Sequence, residues 1–316
     1  MNGAASGTSR RAFLGRAAGT AVAVAGAGVG AGALAGSASA ADQRTYTAGH
    51  FALELDGLSC GKFGGLDGGH RELAVGLDPV GPDTIQRKHI GGVKYEDITM
   101  QIGSGMSKAF YNWMKDSFDK GVVRKNGAII AADFDYKEKS RRAASQMFIT
   151  EVTIPALDAA SKEGCYVAVS VSPTKLTTVP PSGQPVQGAT QKSWIPSNFV
   201  FELDGLDTSR VASIDSFTWK CTVAADGSQV LDVSDIGVSF PQTSLPSWRQ
   251  WYASLRSGAD DERDGALTIV GASGLAITIG LSNLGLYRLV PTQNKRVKAE
   301  MYCEKATWDI KTNTGA

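Results

Sequence analysis

The chain has 316 residues, with 32 basic and 31 acidic side chains and a formal charge of +1. Such neutrality excludes charge-driven capture of nucleic acid or an anionic membrane as its main activity. The basic clusters at 137–142 and 295–298 are interleaved with polar residues and read as solvated turns.

The first forty residues read as an address. Ser9, Arg10, Arg11, Phe13 and Leu14 stand in a twin-arginine export motif, followed by an uncharged Ala/Gly/Val stretch over 17–41. Ala38 and Ala40 supply the small residues of a peptidase site, which places cleavage after Ala40. A membrane anchor is the weaker reading, because Ala and Gly dominate and transfer poorly into hydrocarbon. Cleavage leaves 29 basic against 31 acidic residues, a formal charge of −2, and no membrane attachment. The run 26–31 brushes against a dinucleotide-binding pattern, but no strand precedes it and no acid lies at the required distance.

Residues 50–58 (HFALELDGL) return at 198–206 (NFVFELDGL). Each copy alternates apolar and polar residues into Asp-Gly, a half-buried strand meeting a tight turn. The shared positions are Phe51, Glu54, Leu55, Asp56, Gly57 and Leu58 in the first copy, and Phe199, Glu202, Leu203, Asp204, Gly205 and Leu206 in the second. A second match aligns 98–113 on 236–251 without a gap. In both, a strand-like run breaks and a helical face follows. That face carries Phe110, Trp113 and Met114 in the first copy, and Trp248, Trp251, Tyr252 and Leu255 in the second. Pro246 suits the first turn of the second helix.

The remaining runs alternate as strands: 128–134, 147–157 and 165–171, then 267–269, 275–281, 284–290 and 298–310. Residues 137–142 read as a charged turn, and 61–92 as a long Gly-rich loop. The expected organisation is a signal peptide over 1–40, one domain over 41–177, a Pro/Gly/Ser/Gln-rich linker over 178–197, and a second domain over 198–316. The reading is a tandem duplication of a mainly β domain with one short helix per copy.

The sequence offers no recognisable catalytic or metal-binding constellation. His50 opens a strand, and His70 and His89 fall in the Gly-rich loop without ligand spacing. Asp133 with Asp135, and Glu54 with Asp56, are paired carboxylates of a kind acid–base chemistry uses. Yet Glu54/Asp56 recurs as Glu202/Asp204 at the same strand end, which argues for structure over chemistry. Cys60 and Cys165, and Cys221 and Cys303, would permit one disulfide per copy outside the cell. Reduced core cysteines are the equal alternative. No metal and no cofactor is expected.

The stretch 91–113, GGVKYEDITMQIGSGMSKAFYNW, resembles the phage tail tube protein family, whose members also line contractile injection systems. The second copy keeps Asp235-Ile236 and Trp251 but lacks the Gly-Gly-Val-Lys-Tyr lead-in. The resemblance implies a split β-barrel with one packed helix, six such domains in a ring around a lumen, and rings stacked into a tube. It implies that the loop 61–92 reaches a neighbouring ring, and it brings no catalytic residue. A fused pair would close the ring with three chains, outside the cytoplasm. The partner is then the chain itself, with a capping or surface protein at the end. A monomeric exported binding module on the same fold is the alternative.

Overall fold

The computed structural model describes residues 49–312 apart from 225, 272, 273 and 293. The export motif and the cleavage site at Ala38 and Ala40 lie outside the described residues. In the first half the chain forms β1 (His50–Leu55), β2 (Leu58–Phe63), β3 (Leu66–Gly68), β4 (Arg71–Leu77), β5 (Lys88–Tyr95), β6 (Ile98–Ile102), α1 (Lys108–Lys120), β7 (Lys125–Ala132), β8 (Glu138–Ile154), β9 (Leu157–Asp158), β10 (Val167–Ser172) and β11 (Lys175–Val179). The second half forms β12 (Trp194–Leu203), β13 (Ser213–Ile214), β14 (Phe217–Val223), β15 (Gln229–Val233), β16 (Ile236–Pro241), a short 3-10 turn, α2 (Leu245–Arg256), β17 (Arg263–Gly271), β18 (Leu275–Pro291) and β19 (Arg296–Thr312).

The fold is mainly β with two α-helices among the described residues, built on two long antiparallel sheets. One sheet runs β2-β1-β7-β8-β10-β6-β3, and the other runs β12-β17-β18-β19-β16-β13-β9. Apart from β2 and β9 at the ends, the two orders place corresponding segments side by side.

Each helix follows the strand that the sequence break announces. Ser107 caps α1 by accepting from the Phe110 N–H at 3.4 Å, satisfying one of the first-turn donors. Gly121 ends it with φ of 77°, a conformation in which a side chain would be strained. Phe110, Trp113, Met114 and Phe118 are buried beneath it. In α2, Trp248 and Trp251 are buried at the same interval, and Pro246 stands in the first turn. Both helices anchor a tryptophan in one way. The indole N–H of Trp113 donates to Val123 O at 2.8 Å, and that of Trp251 donates to Asp261 O at 2.7 Å.

A single hydrophobic cluster runs through both halves. Phe118 of α1 stacks on Trp219 of β14, ring centroids 4.5 Å apart, and lies 5.7 Å from Trp308 of β19. Two strand pairings also cross between the halves. β14 adds to β8, with Phe217 opposite Ile154 and Lys220 opposite Glu151, while β9 adds to β13.

Several expected boundaries move. The 137–142 run is not a turn, because β8 begins at Glu138; the reversal lies at 133–137, where the Asp133 carboxylate accepts the N–H groups of Asp135 and Lys137. The runs 275–281 and 284–290 are one strand, β18, bent where Asn283 takes a left-handed φ of 54°. β5 and β6 are separated by Glu96-Asp97. Much of the Gly-rich loop is ordered as β2 to β5, and β4 and β5 form a separate two-stranded sheet. The disulfides allowed by cysteine placement are not formed; all four thiols are free. Cys60, Cys221 and Cys303 are buried, and burial pushes the Cys165 and Cys303 thiols up to about 11. They fill core space as small hydrophobes.

The segment 178–197 lies along the first half, fastened by backbone bonds. Lys62 N–H donates to Ala189 O, Ser104 N–H to Lys192 O, Glu138 N–H to Gln184 O and Val186 N–H to Tyr136 O.

Candidate assembly surface

The repeated phrase occupies β1 and β12 and sets the turns that follow them. In both halves the residue after Leu donates its backbone N–H to the strand opposite, Asp56 to Asn126 O at 2.7 Å and Asp204 to Asp264 O at 2.9 Å. Gly57 and Gly205 complete the turns with φ of 82° and 68°. Phe51 and Phe199 are half-buried, and Leu55 and Leu203 are buried.

The carboxylates of the phrase are held in salt bridges and turns. Asp56 accepts from Lys125 Nζ at 2.8 Å, and that bond holds its carboxyl below the usual range. Glu54 accepts from Arg141, which also donates to Glu138 at 2.8 Å. Burial works against the Glu138 carboxylate, but the bonds from Arg141 and Ser182 outweigh it and keep its pKa low. Asp133 is lowered first by the Lys137 N–H and pairs with Lys139 at 3.1 Å. Glu202 and Asp204 face solvent. The structure thus gives Glu54 and Asp133 different cation partners. Among the described residues no group of three or more His, Cys, Asp or Glu side chains is placed to hold a metal ion. No described helix is long and apolar enough to cross a membrane.

The larger feature is the β4–β5 hairpin, which the sequence presents as loop. Leu73, Val75 and Leu77 on β4 stand out on one face, with Ile90 and Val93 on β5. Val75 is 58% exposed and Ile90 66%. Contiguous exposed apolar surface of this kind marks an interaction site. His70 and His89 sit on this hairpin, bonded to Glu96 at 2.8 Å and to Asp78 at 2.9 Å.

Correspondence between the halves extends to single contacts. β8 and β18 are each 17 residues long. Each has a left-handed residue on the same bond: Gln146 N–H donates to Asn126 Oδ1 at 2.9 Å, and Asn283 N–H to Asp264 Oδ1 at 3.0 Å. Further along, Thr150 donates to Asp97 at 2.6 Å and Tyr287 to Asp235 at 2.7 Å. The Asp235 bond pushes the Tyr287 hydroxyl up to about 12. The register of each pair shifts at this residue, between Ile149 and Glu151 and between Leu286 and Arg288.

Their edges differ. Beyond the reach of β7, the end of β8 is closed by β14. Beyond the reach of β17, β18 pairs from Gly285 to Pro291 on one side only, with β19, among the described residues. In step with this, Val152 and Ile154 are buried, whereas Leu289 and Val290 are half-buried and Pro291 exposed. Likewise β13 has β16 and β9 as neighbours, while β3 pairs only with β6 among the described residues. Open strand edges are templates for another strand. No sequence motif marks this surface; the alternating apolar run 73–77 beside Gly-rich residues is the signal that could have found the hairpin.

Residues 47–172 match the family model described as T4-like virus tail tube protein gp19. Over that span the chain is similar to the tail tube family. No curated protein matches. Among solved structures, the chain is similar to the cap that terminates the anti-feeding prophage tube, in a cryo-EM structure, at 21% identity and a TM-score of 0.32. It is also similar to a chain of the PVC sheath-tube complex, an extracellular contractile injection system in its extended state, at 18% identity and a TM-score of 0.31. Each alignment covers 43% of this chain and 89% of the other.

Proposed function

We propose that this protein is a non-catalytic structural subunit of tail-tube type, in which two duplicated domains sit side by side and three chains close a ring with six similar seats. The observation that carries the reading is the pair of open strand edges. Inside the chain the two halves close one seam by exchanging β14 and β9. The edges that would make the same seam again, at β3 and at β18, have no strand partner among the described residues of the first and second halves respectively. A head-to-tail contact of this kind either closes into a ring or propagates as a filament. The tail tube family match over residues 47–172 supports the ring.

The twin-arginine motif extends the reading: the subunit folds in the cytoplasm and crosses the membrane before it assembles. The apolar β4–β5 hairpin is then a contact between copies, and a capping or surface protein is the partner at the end of a stack. The acids that acid–base chemistry would use are engaged in turns and ion pairs, which supports a structural role for them.

The test is the mass and shape of the purified protein across a concentration series, by light scattering and negative-stain microscopy. Annular or tubular particles that gain mass with concentration support the reading. A monomer at every concentration contradicts it and favours the monomeric surface-binding alternative.

A further inference from the structure

The hairpins β4–β5 and β14–β15 occupy the same place in the two halves, between the short strand β3 or β13 and the strand β6 or β16. Their registers superpose. Leu66 lies opposite Met100 as Ile214 lies opposite Val238, and Arg71 opposite Tyr95 as Trp219 opposite Val233. Arg71 therefore corresponds to Trp219, Glu72 to Lys220 and Leu73 to Cys221. On the long strands, the common bond and common register shift make Glu151 correspond to Arg288 and Thr153 to Val290.

β14 uses its place to close the end of β8. In β4 the corresponding strand has no partner except β5 among the described residues, and its outer face is apolar and exposed. We propose that β4 of one chain adds to the open edge of β18 in a second copy of this chain, repeating between chains the seam that β14 and β8 make within one. The inference rests on the ring reading and supplies its contact.

Charge supports the pairing independently. The internal seam carries Lys220 against Glu151 at 3.2 Å. The corresponding residues of the proposed seam are Glu72 and Arg288, the same pair with its signs exchanged. In the single chain they lean on neighbours, Glu72 on Lys94 at 2.8 Å and Arg288 on Glu300 at 3.0 Å. Opposite charges at facing positions stabilise an antiparallel pair, and like charges there oppose it. The apolar side agrees as well. Cys221, next to the internal seam, is buried, while Leu73, its counterpart, is 53% exposed and would be covered by the second copy. Val75 and Leu77 continue that face along β4.

The two seams are not equal in strength. Arg71 and Arg256 stand where Trp219 and Phe118 stack, so the seam between chains lacks the aromatic anchor of the one inside. Pro291 has no N–H to donate, so the ladder starts at Val290 opposite His70. A weaker outer seam suits a subunit that folds alone and assembles afterwards.

The test is a charge-reversal cycle on the full chain, with association measured by sedimentation velocity. Glu72→Arg and Arg288→Glu are each expected to weaken association about tenfold, equivalent to ~1.4 kcal/mol, and the double variant to regain most of it. A second experiment mixes His70→Cys protein with Val290→Cys protein under oxidising conditions. Facing strand positions fall within disulfide reach, so a covalent dimer should form in the mixture and in neither variant alone. Rings that persist with neither a charge effect nor a crosslink would overturn this seam and leave the ring reading standing. A chain that stays monomeric without crosslinking would overturn both.

Discussion

Replacing Trp219 with alanine tests whether the two halves share one core. Trp219 sits on β14, 2% exposed, opposite Val152 of β8 and stacked on Phe118 of α1 with ring planes 18° apart. Truncating a buried tryptophan costs about 3 to 5 kcal/mol through lost burial and the cavity left behind. The stack contributes roughly 0.5 to 1.5 kcal/mol of that as coupling to Phe118. With a urea dependence of about 3 kcal/mol per M for a chain of this size, the unfolding midpoint should fall by about 1 to 1.7 M. The assay is equilibrium urea unfolding followed by tryptophan fluorescence and far-UV circular dichroism, with Phe118→Leu and the double variant completing a cycle. Coincident single transitions in the parent, and a coupling near 1 kcal/mol, are expected. A loss below about 1 kcal/mol, or a parent that unfolds in two separated steps, would refute the shared core.

Arg141→Met should cost about 3 to 5 kcal/mol, because it strands the buried Glu138 carboxylate, and Glu138→Gln should recover part of it; thermal and urea unfolding measure both. The pH profile follows from the same pair. Glu138 has a lowered pKa in the fold, so its contribution is present above its unfolded value near 4.5 and is lost as pH falls through the folded value. In Arg141→Met burial would dominate and raise that pKa, so the variant should gain stability on acidification where the parent loses it. Gly127→Ala and Gly265→Ala should each destabilise by about 1 to 3 kcal/mol, since a Cβ would collide with the carbonyl oxygen of Glu54 or Glu202 in the two corresponding strands; matched losses in calorimetry check the correspondence. The buried thiols of Cys60, Cys221 and Cys303 should react with a thiol reagent only after denaturation, with no mass change on reduction.

The short range of the fold was legible in the sequence, and the long range was not. The Phe110/Trp113 and Trp248/Trp251 faces followed from helical spacing, and β1, β7 and β12 from alternation into a turn. The charge run over 137–142 has the composition of a turn, yet from Glu138 onward it is strand. On β8 Arg141 joins Glu54 to Glu138, and burial over 138–143 does not alternate, so no period-2 signal opposes the turn reading. Residues 275–290 misled in the opposite way, because Asn283 bends a strand without ending it. The hairpin 71–95 was hidden by its glycines and by the absence of a buried face, since both of its sides meet solvent in one chain. Pairing across the halves, β14 on β8 and β9 on β13, depends on register between distant segments, which no local pattern encodes. The open edge of β18 is likewise visible only once β17 is seen to stop short of it.

In the proposed assembly the two halves of each chain alternate as neighbouring seats of one ring. Cryo-EM class averages of the assembled protein, with native mass of the same particles, test it most directly. Three chains per ring and threefold symmetry with six similar lobes are expected. Rings of six chains with twelve lobes, or particles in which the second half lies outside the ring, would contradict it.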